Sequence, residues 1–238
     1  MITIAKTENE FDQLAASRVI DQILSKPDSL IGLSTGRTTG NMHRIIAQRY
    51  CNENFDISRT YFLGVDEITN VPKEYYGACY SMIRAEMLDA MDFGDERFMM
   101  LPTYSDDFEK SCTDFINGIN EKGGIDLLIL GLGENGHLGF NQPHSPLEKE
   151  AWVTDMNQEL LERVNREVGE GTDYKGITLG IKTIMKARKI VLVAKGANKA
   201  AAVKCMLTGE ISSAFPASLL QLHPNCEFLL DTEAAAFI

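Results

Sequence analysis

Three short segments carry residue types that could do chemistry on a small anion. Ser34-Thr35-Gly36-Arg37-Thr38-Thr39-Gly40 joins an apolar run to a helical pattern. Glycines let the backbone approach an anion, and a helix start offers unbonded N–H groups with a partial positive charge. Hydroxyls and Arg37 add donors, so Thr35, Gly36, Arg37 and Thr38 are expected to bind phosphate. The G-K-[ST] ending of a nucleotide P-loop is missing, and an ordinary turn with a threonine cap is the structural alternative. Asp66-Glu67 follows the apolar run YFLGV. Two adjacent carboxylates at a strand end cannot both face the core. Either one points into a cleft with its pKa tuned for proton transfer, or the two form a surface helix cap. Gly131-Leu132-Gly133-Glu134-Asn135-Gly136 fits GxGxxG, but Pro143 and Pro146 break any long helix after it. The glycines are therefore expected to make a tight turn presenting His137, with Asn135, Asn141 and Gln142 able to orient its ring. Lys199 lies at a helix start, where cations are disfavoured unless an anion binds there or solvent holds them.

No HxxxH, HExxH or Cys/His cluster is present, so no metal is expected, and no GxSxG supports a serine hydrolase. His43, His144 and His223 lie outside these loops. Without a Rossmann fingerprint and its helix, no dinucleotide cofactor is expected either.

The elements that must position these segments are strands alternating with helices. Apolar runs predict strands over 30–33, 61–65, 98–101, 125–130, 190–194 and 227–230. Helical patterns cover 41–50, 76–91, 108–119 and 197–207, the second with Tyr80, Ile83, Met87, Leu88 and Met91 as one stripe. Fully apolar strands between helices predict an α/β fold: a single doubly wound, Rossmann-like domain over 1–238, its mostly parallel sheet covered by helices on both faces. Ligands in such sheets sit beyond the carboxyl ends of the strands, where the three segments and Lys199 all fall. The polar stretch 148–174 reads as a surface excursion or a mobile lid over the site.

Composition narrows the partners. The 238 residues are 44% hydrophobic and 24% charged, as in ordinary globular proteins. The net charge of -11 disfavours nucleic acid and anionic membranes. No apolar run reaches the length of a membrane helix, and no secretory leader pattern opens the chain. Five scattered cysteines suggest reduced thiols and a cytoplasmic protein.

Taken together, GLSTGRTTG (32–40), LGVDEI (63–68), GGIDLLILGLGENGHLGFNQP (123–143) and ITLGIKTIMKARKIVLVAKGANKA (177–200) resemble the glucosamine-6-phosphate and galactosamine-6-phosphate deaminase/isomerase family. That family is related to the 6-phosphogluconolactonases. The resemblance, which spans nearly the whole chain, implies that Asp66 moves a proton between C2 and C1 of an open-chain sugar phosphate. It implies that His137 promotes ring opening, supported by residues 135 and 142. It also implies that the 35–38 loop and Lys199 bind phosphate, together with Arg163 on a mobile segment. Glu67, beside Asp66, is kept as a further substrate-binding candidate. The implied ligand is a small-molecule sugar phosphate, with no cofactor, and a homo-oligomer is compatible. Asn135 resembles the galactosamine-type branch, whereas Gln142 stands where both branches carry glutamate. Amides cannot stabilise an imidazolium by charge, so His137 is expected to be less basic than usual. HLGFNQP after the histidine is nearer the deaminase pattern than that of the lactonases. A lactone hydrolase and a catalytically inactive sugar-phosphate binder are the alternatives.

Overall fold

The computed structural model describes residues 1–238. Successive residues along its central strands feed two separate apolar cores. Leu128 and Leu130 enter one, with Leu63, Ile190 and Leu192, while Leu127 and Ile129 enter the other, with Phe62, Val191 and Val193. Side chains alternate across a strand, so a run that is apolar at every position needs cover on both faces. Two layers of helices supply it.

In chain order the first half comprises β1 (Ile2–Ala5), α1 (Glu8–Ser25), β2 (Leu30–Leu33), α2 (Gly40–Glu53), β3 (Tyr61–Gly64), β4 (Asp66–Ile68), α3 (Cys79–Ile83) and β5 (Phe98–Met99). The second half comprises α4 (Phe108–Glu121), β6 (Leu127–Gly131), β7 (Ala151–Thr154), α5 (Gln158–Val168), β8 (Gly176–Leu179), α6 (Ile181–Ile184), β9 (Ile190–Ala194), α7 (Ala200–Thr208) and β10 (Cys226–Asp231). Seven strands form one parallel sheet in the order β1-β10-β9-β6-β2-β3-β5. From β2 the chain first builds outward through β3 and β5, then crosses to β6 on the other side. The gap between the β2 and β6 loops is therefore the topological switch point, where open parallel sheets bind ligands. A second, antiparallel sheet, β4-β8-β7, stands over that end.

Several expected elements take a different form. The expected elements begin at Leu30, and the structure adds β1 and α1 before it. Thr7 caps α1 by accepting the Glu10 N–H at 3.1 Å, and Phe11, Ala15, Val19, Ile20 and Ile23 bury its inner face. The single helix expected over 76–91 is instead α3 followed by a π-helical turn at Arg84–Leu88. The wider turn sets Glu86 2.8 Å from Nδ1 of the fully buried His43. The polar stretch 148–174, expected as a surface excursion or lid, holds β7 and α5. Helix α5 docks through Val164, with Leu160, Leu161 and Val168 beside it, onto a small third core around Phe140, Met156 and Tyr174.

Candidate active site

Strand β2 ends in the glycine-rich loop, and its geometry suits an anion. Gly36 has φ +134°, a conformation that L side chains rarely adopt. The Gly36 carbonyl accepts the N–H groups of Thr39 (3.2 Å) and Gly40 (3.1 Å), which turns the chain into α2. The N–H groups of Gly36, Arg37 and Thr38 have no backbone acceptor and remain available. Ser34 donates its hydroxyl to the Ile129 carbonyl at 2.8 Å, which fastens this loop to the neighbouring β6.

After β3 the chain bends into β4, and this bend separates the two carboxylates. Asp66 lines the cleft, and burial pushes its carboxyl up to about 6, against a hydrogen bond from Cys79. Glu67 faces the other way, which corrects its expected role as a substrate contact. Its carboxylate is fully buried and accepts the N–H groups of Ile68 (2.8 Å), Cys79 (2.8 Å) and Tyr80 (2.7 Å). Burial pushes Glu67 up to about 7, opposed by those three donors. It anchors the start of α3, a task that adjacent sequence position alone does not reveal.

The turn after β6 presents His137 to the same cleft. A Cβ on Gly133 would overlap the imidazole, so only glycine lets the ring lie against the backbone there. His137 Nδ1 lies 2.7 Å from Asn135 Oδ1, and Asn135 Nδ2 donates to Gln142 Oε1 at 3.0 Å. Because the Asn135 NH₂ is committed to Gln142, its oxygen faces the ring. Nδ1 must then carry the proton, leaving the Nε2 lone pair free. Burial, reinforced by the positive charge of Lys199, holds His137 below the usual imidazole range, so the ring is neutral at pH 7. Gln142 also lines the cleft, and its Nε2 is buried without a partner. Asn141 plays no part in the ring's orientation. It is buried, donates to the Leu138 and Leu179 carbonyls, and accepts from Trp152 Nε1.

The cleft, about 480 Å³, is walled by the 34–39 loop, Asp66, Cys79, His137 and α5. Helix α5 brings the candidate Arg163 to the cleft wall, and also Arg166, Glu159 and Glu162, which are not among the expected site residues. An i, i+3 arginine pair on an amphipathic helix is the signal that marks Arg166. Lys199 sits half-buried in the turn before α7, where burial lowers its pKa; Glu134 opposes that shift and Arg37 adds to it. Arg37, Arg163, Arg166 and Lys199 take part in no ion pair, although acids outnumber bases by 34 to 23. Three unpaired arginines lining the cleft, with Lys199 near enough to act on His137, create a local well for an anion in an acidic protein. The remaining histidines stand apart: His43 pairs with Glu86, His223 bonds the Ala187 carbonyl, and His144 lies in an exposed loop.

Comparison with known proteins identifies the family and the fold. The profile of the glucosamine-6-phosphate isomerases/6-phosphogluconolactonase family matches residues 5–228. A glucosamine-6-phosphate deaminase of Halothermothrix orenii is 35% identical, covering 100% of this chain and 99% of its own. One from Clostridium novyi is 35% identical, covering 97% of each. Among solved structures, a monomeric glucosamine-6-phosphate deaminase superposes with a TM-score of 0.92 at 29% identity, over 100% of this chain and 99% of that one. The 6-phosphogluconolactonase of Trypanosoma brucei shares the fold, with a TM-score of 0.81 at 21% identity over 99% and 97% of the two chains. The chain is thus an enzyme of the glucosamine-6-phosphate isomerase/6-phosphogluconolactonase family.

Proposed function

We propose that this enzyme converts a hexosamine 6-phosphate to a ketose 6-phosphate and ammonia. The observation that carries this reading is the convergence of a half-buried, hard-to-ionise carboxyl (Asp66), a neutral imidazole (His137) and an anion-ready loop on one cleft. The phosphate docks on the 35–38 loop, with Lys199 and the α5 arginines neutralising its charge. Docking holds C1 and C2 of the sugar against Asp66 and gains rate by orientation. His137, accepting through Nε2, takes the C1 hydroxyl proton as the hemiacetal opens and passes it to the departing ring oxygen, and Gln142 donates its unpartnered N–H to a substrate oxygen. Asp66 removes the C2 proton to give an enolamine and returns it at C1. Water attacks the resulting C2 iminium, and ammonia leaves. Each acid–base group contributes roughly 10²–10⁴-fold.

Asn135 supports galactosamine 6-phosphate over glucosamine 6-phosphate, by its match to the galactosamine-type motif. The family relatives named above favour the glucosamine epimer, so both sugars belong in the test. Segment 148–174 acts as the cover of the site, because α5 carries two cleft arginines on a small core of its own. Five unpaired cysteines suit a cytoplasmic setting. The experiment is ammonia release from galactosamine and glucosamine 6-phosphates. Ammonia and ketose 6-phosphate in equal amounts are expected. Hydrolysis of 6-phosphogluconolactone without ammonia from either sugar would overturn the reading.

A further inference from the structure

One group on the cleft wall has no part in the chemistry above: the thiol of Cys79. It is buried, and its Sγ touches both halves of the site. Thr35 Oγ1, in the phosphate loop, donates to Sγ at 3.1 Å, and Sγ donates to Asp66 Oδ1 at 3.5 Å. The backbone of Cys79 is itself fixed, since its N–H bonds Glu67 Oε1 at 2.8 Å. The other carboxyl oxygen, Asp66 Oδ2, lies on the side of Gly139, where an added Cβ would come within 3.3 Å of it. Oδ1 is thus held by the thiol, while Oδ2 lies beside Gly139 on the side that Thr178 and Val65 also occupy.

We propose that Cys79 is a positioning residue that couples the phosphate loop to the proton-accepting carboxylate by restraining its Oδ1. This role rests on the reading of Asp66 as the proton acceptor. Burial and the flanking carboxylates Asp66 and Glu67 push the thiol well above its ordinary value, so it stays a donor. A thiol is a weak donor and sulfur a weak acceptor. The link therefore tunes Asp66 without trapping it as an inert anion. Other charged groups facing this space are Arg37 from the β2 loop, His137 from the β6 turn, and the acids and arginines of α5. None of them bonds Asp66.

Two variants test this, Cys79→Ala and Cys79→Ser, with two readouts. The Asp66 carboxyl is titrated directly by ¹³C NMR of labelled protein, and kcat and KM are measured across pH on whichever hexosamine 6-phosphate the native enzyme turns over. Removing the donor in Cys79→Ala should raise the Asp66 midpoint by about half a pH unit or more, since a hydrogen bond to the charged form favours it. In this variant kcat near pH 6 should fall about three- to tenfold, with KM within twofold of native, because the group acts through the base. Cys79→Ser keeps a donor and should return the midpoint to the native value or below, with kcat largely restored. An Asp66 midpoint that stays put in Cys79→Ala, or moves equally in both variants, would overturn the proposal. Absence of turnover in the native enzyme would count against the proposed function, while the carboxyl titration would still decide the role of the thiol.

Discussion

Asp66→Asn should make the protein more stable while silencing it, and the gain should depend on pH in a defined direction. The folded environment raises the Asp66 carboxyl from 3.8 to about 6 because burial penalises the anion. A shift of about two units corresponds to about 3 kcal/mol of ionisation cost. The cleft is open at one side and Cys79 offers a partial bond, so roughly 1–3 kcal/mol is the expected range. Below about pH 4 the carboxyl is protonated in folded and unfolded chains alike, and this cost vanishes. Between about pH 4 and 6 the unfolded chain ionises first, so the native protein loses stability relative to the amide. Above about pH 6 the loss is complete and constant. Asparagine is neutral throughout and nearly isosteric. For a chain of this length, each kcal/mol moves Tm by about 2–4 °C. Thermal unfolding of both proteins between about pH 4.5 and 8 should show an amide advantage that opens with pH to about 2–12 °C, while ammonia release is lost. A Tm difference that stays flat across this range, or that favours the native protein at pH 8, would refute the claim that burial stores strain in this carboxyl.

Other consequences follow from the same geometry. In the native enzyme kcat/KM should fall about tenfold per pH unit below about pH 6, as Asp66 takes up a proton; a profile flat to pH 5 would contradict the assignment. Glu67→Gln should cost about 1.5–3 kcal/mol in urea unfolding with little change in KM, because the carboxylate bonds three backbone N–H groups and not the substrate. Asn135→Asp places a charge beside the His137 ring, 2.7 Å from Nδ1 in the native geometry, and should raise the histidine midpoint in an NMR titration. An unmoved midpoint would mean that residue 135 does not face the ring.

What the sequence reveals depends on whether a residue's task is local. The strands at 30–33 and 190–194 are apolar at every position, and the structure places them there with the same bounds. The loops after β2 and β6 carry their glycines in the sequence, so the pocket floor can be located before any fold is known. The division between Asp66 and Glu67 is not legible, because it follows from where α3 returns and offers its N–H groups to only one of them. The break of the 76–91 helix is also tertiary: Met87 and Leu88 keep the apolar stripe, yet Glu86 is drawn to a histidine 43 positions earlier. Arg166 and α5 are hidden for a different reason. Their segment is mostly charged, and only Leu160, Leu161, Val164 and Val168 hint at its buried face. Residues 8–23 do carry readable signals, a threonine cap and a repeating apolar stripe.

The central claim is that one carboxylate, Asp66, carries a proton from C2 to C1 of an opened amino sugar phosphate. Hexosamine 6-phosphate labelled with deuterium at C2 tests it most directly, with the ketose product examined by NMR. The account predicts loss of the label from C2, with part of it recovered at C1, in the native enzyme and none of this in folded Asp66→Asn. Release of ammonia with an aldose product that keeps deuterium at C2, or label transfer that survives Asp66→Asn, would contradict it.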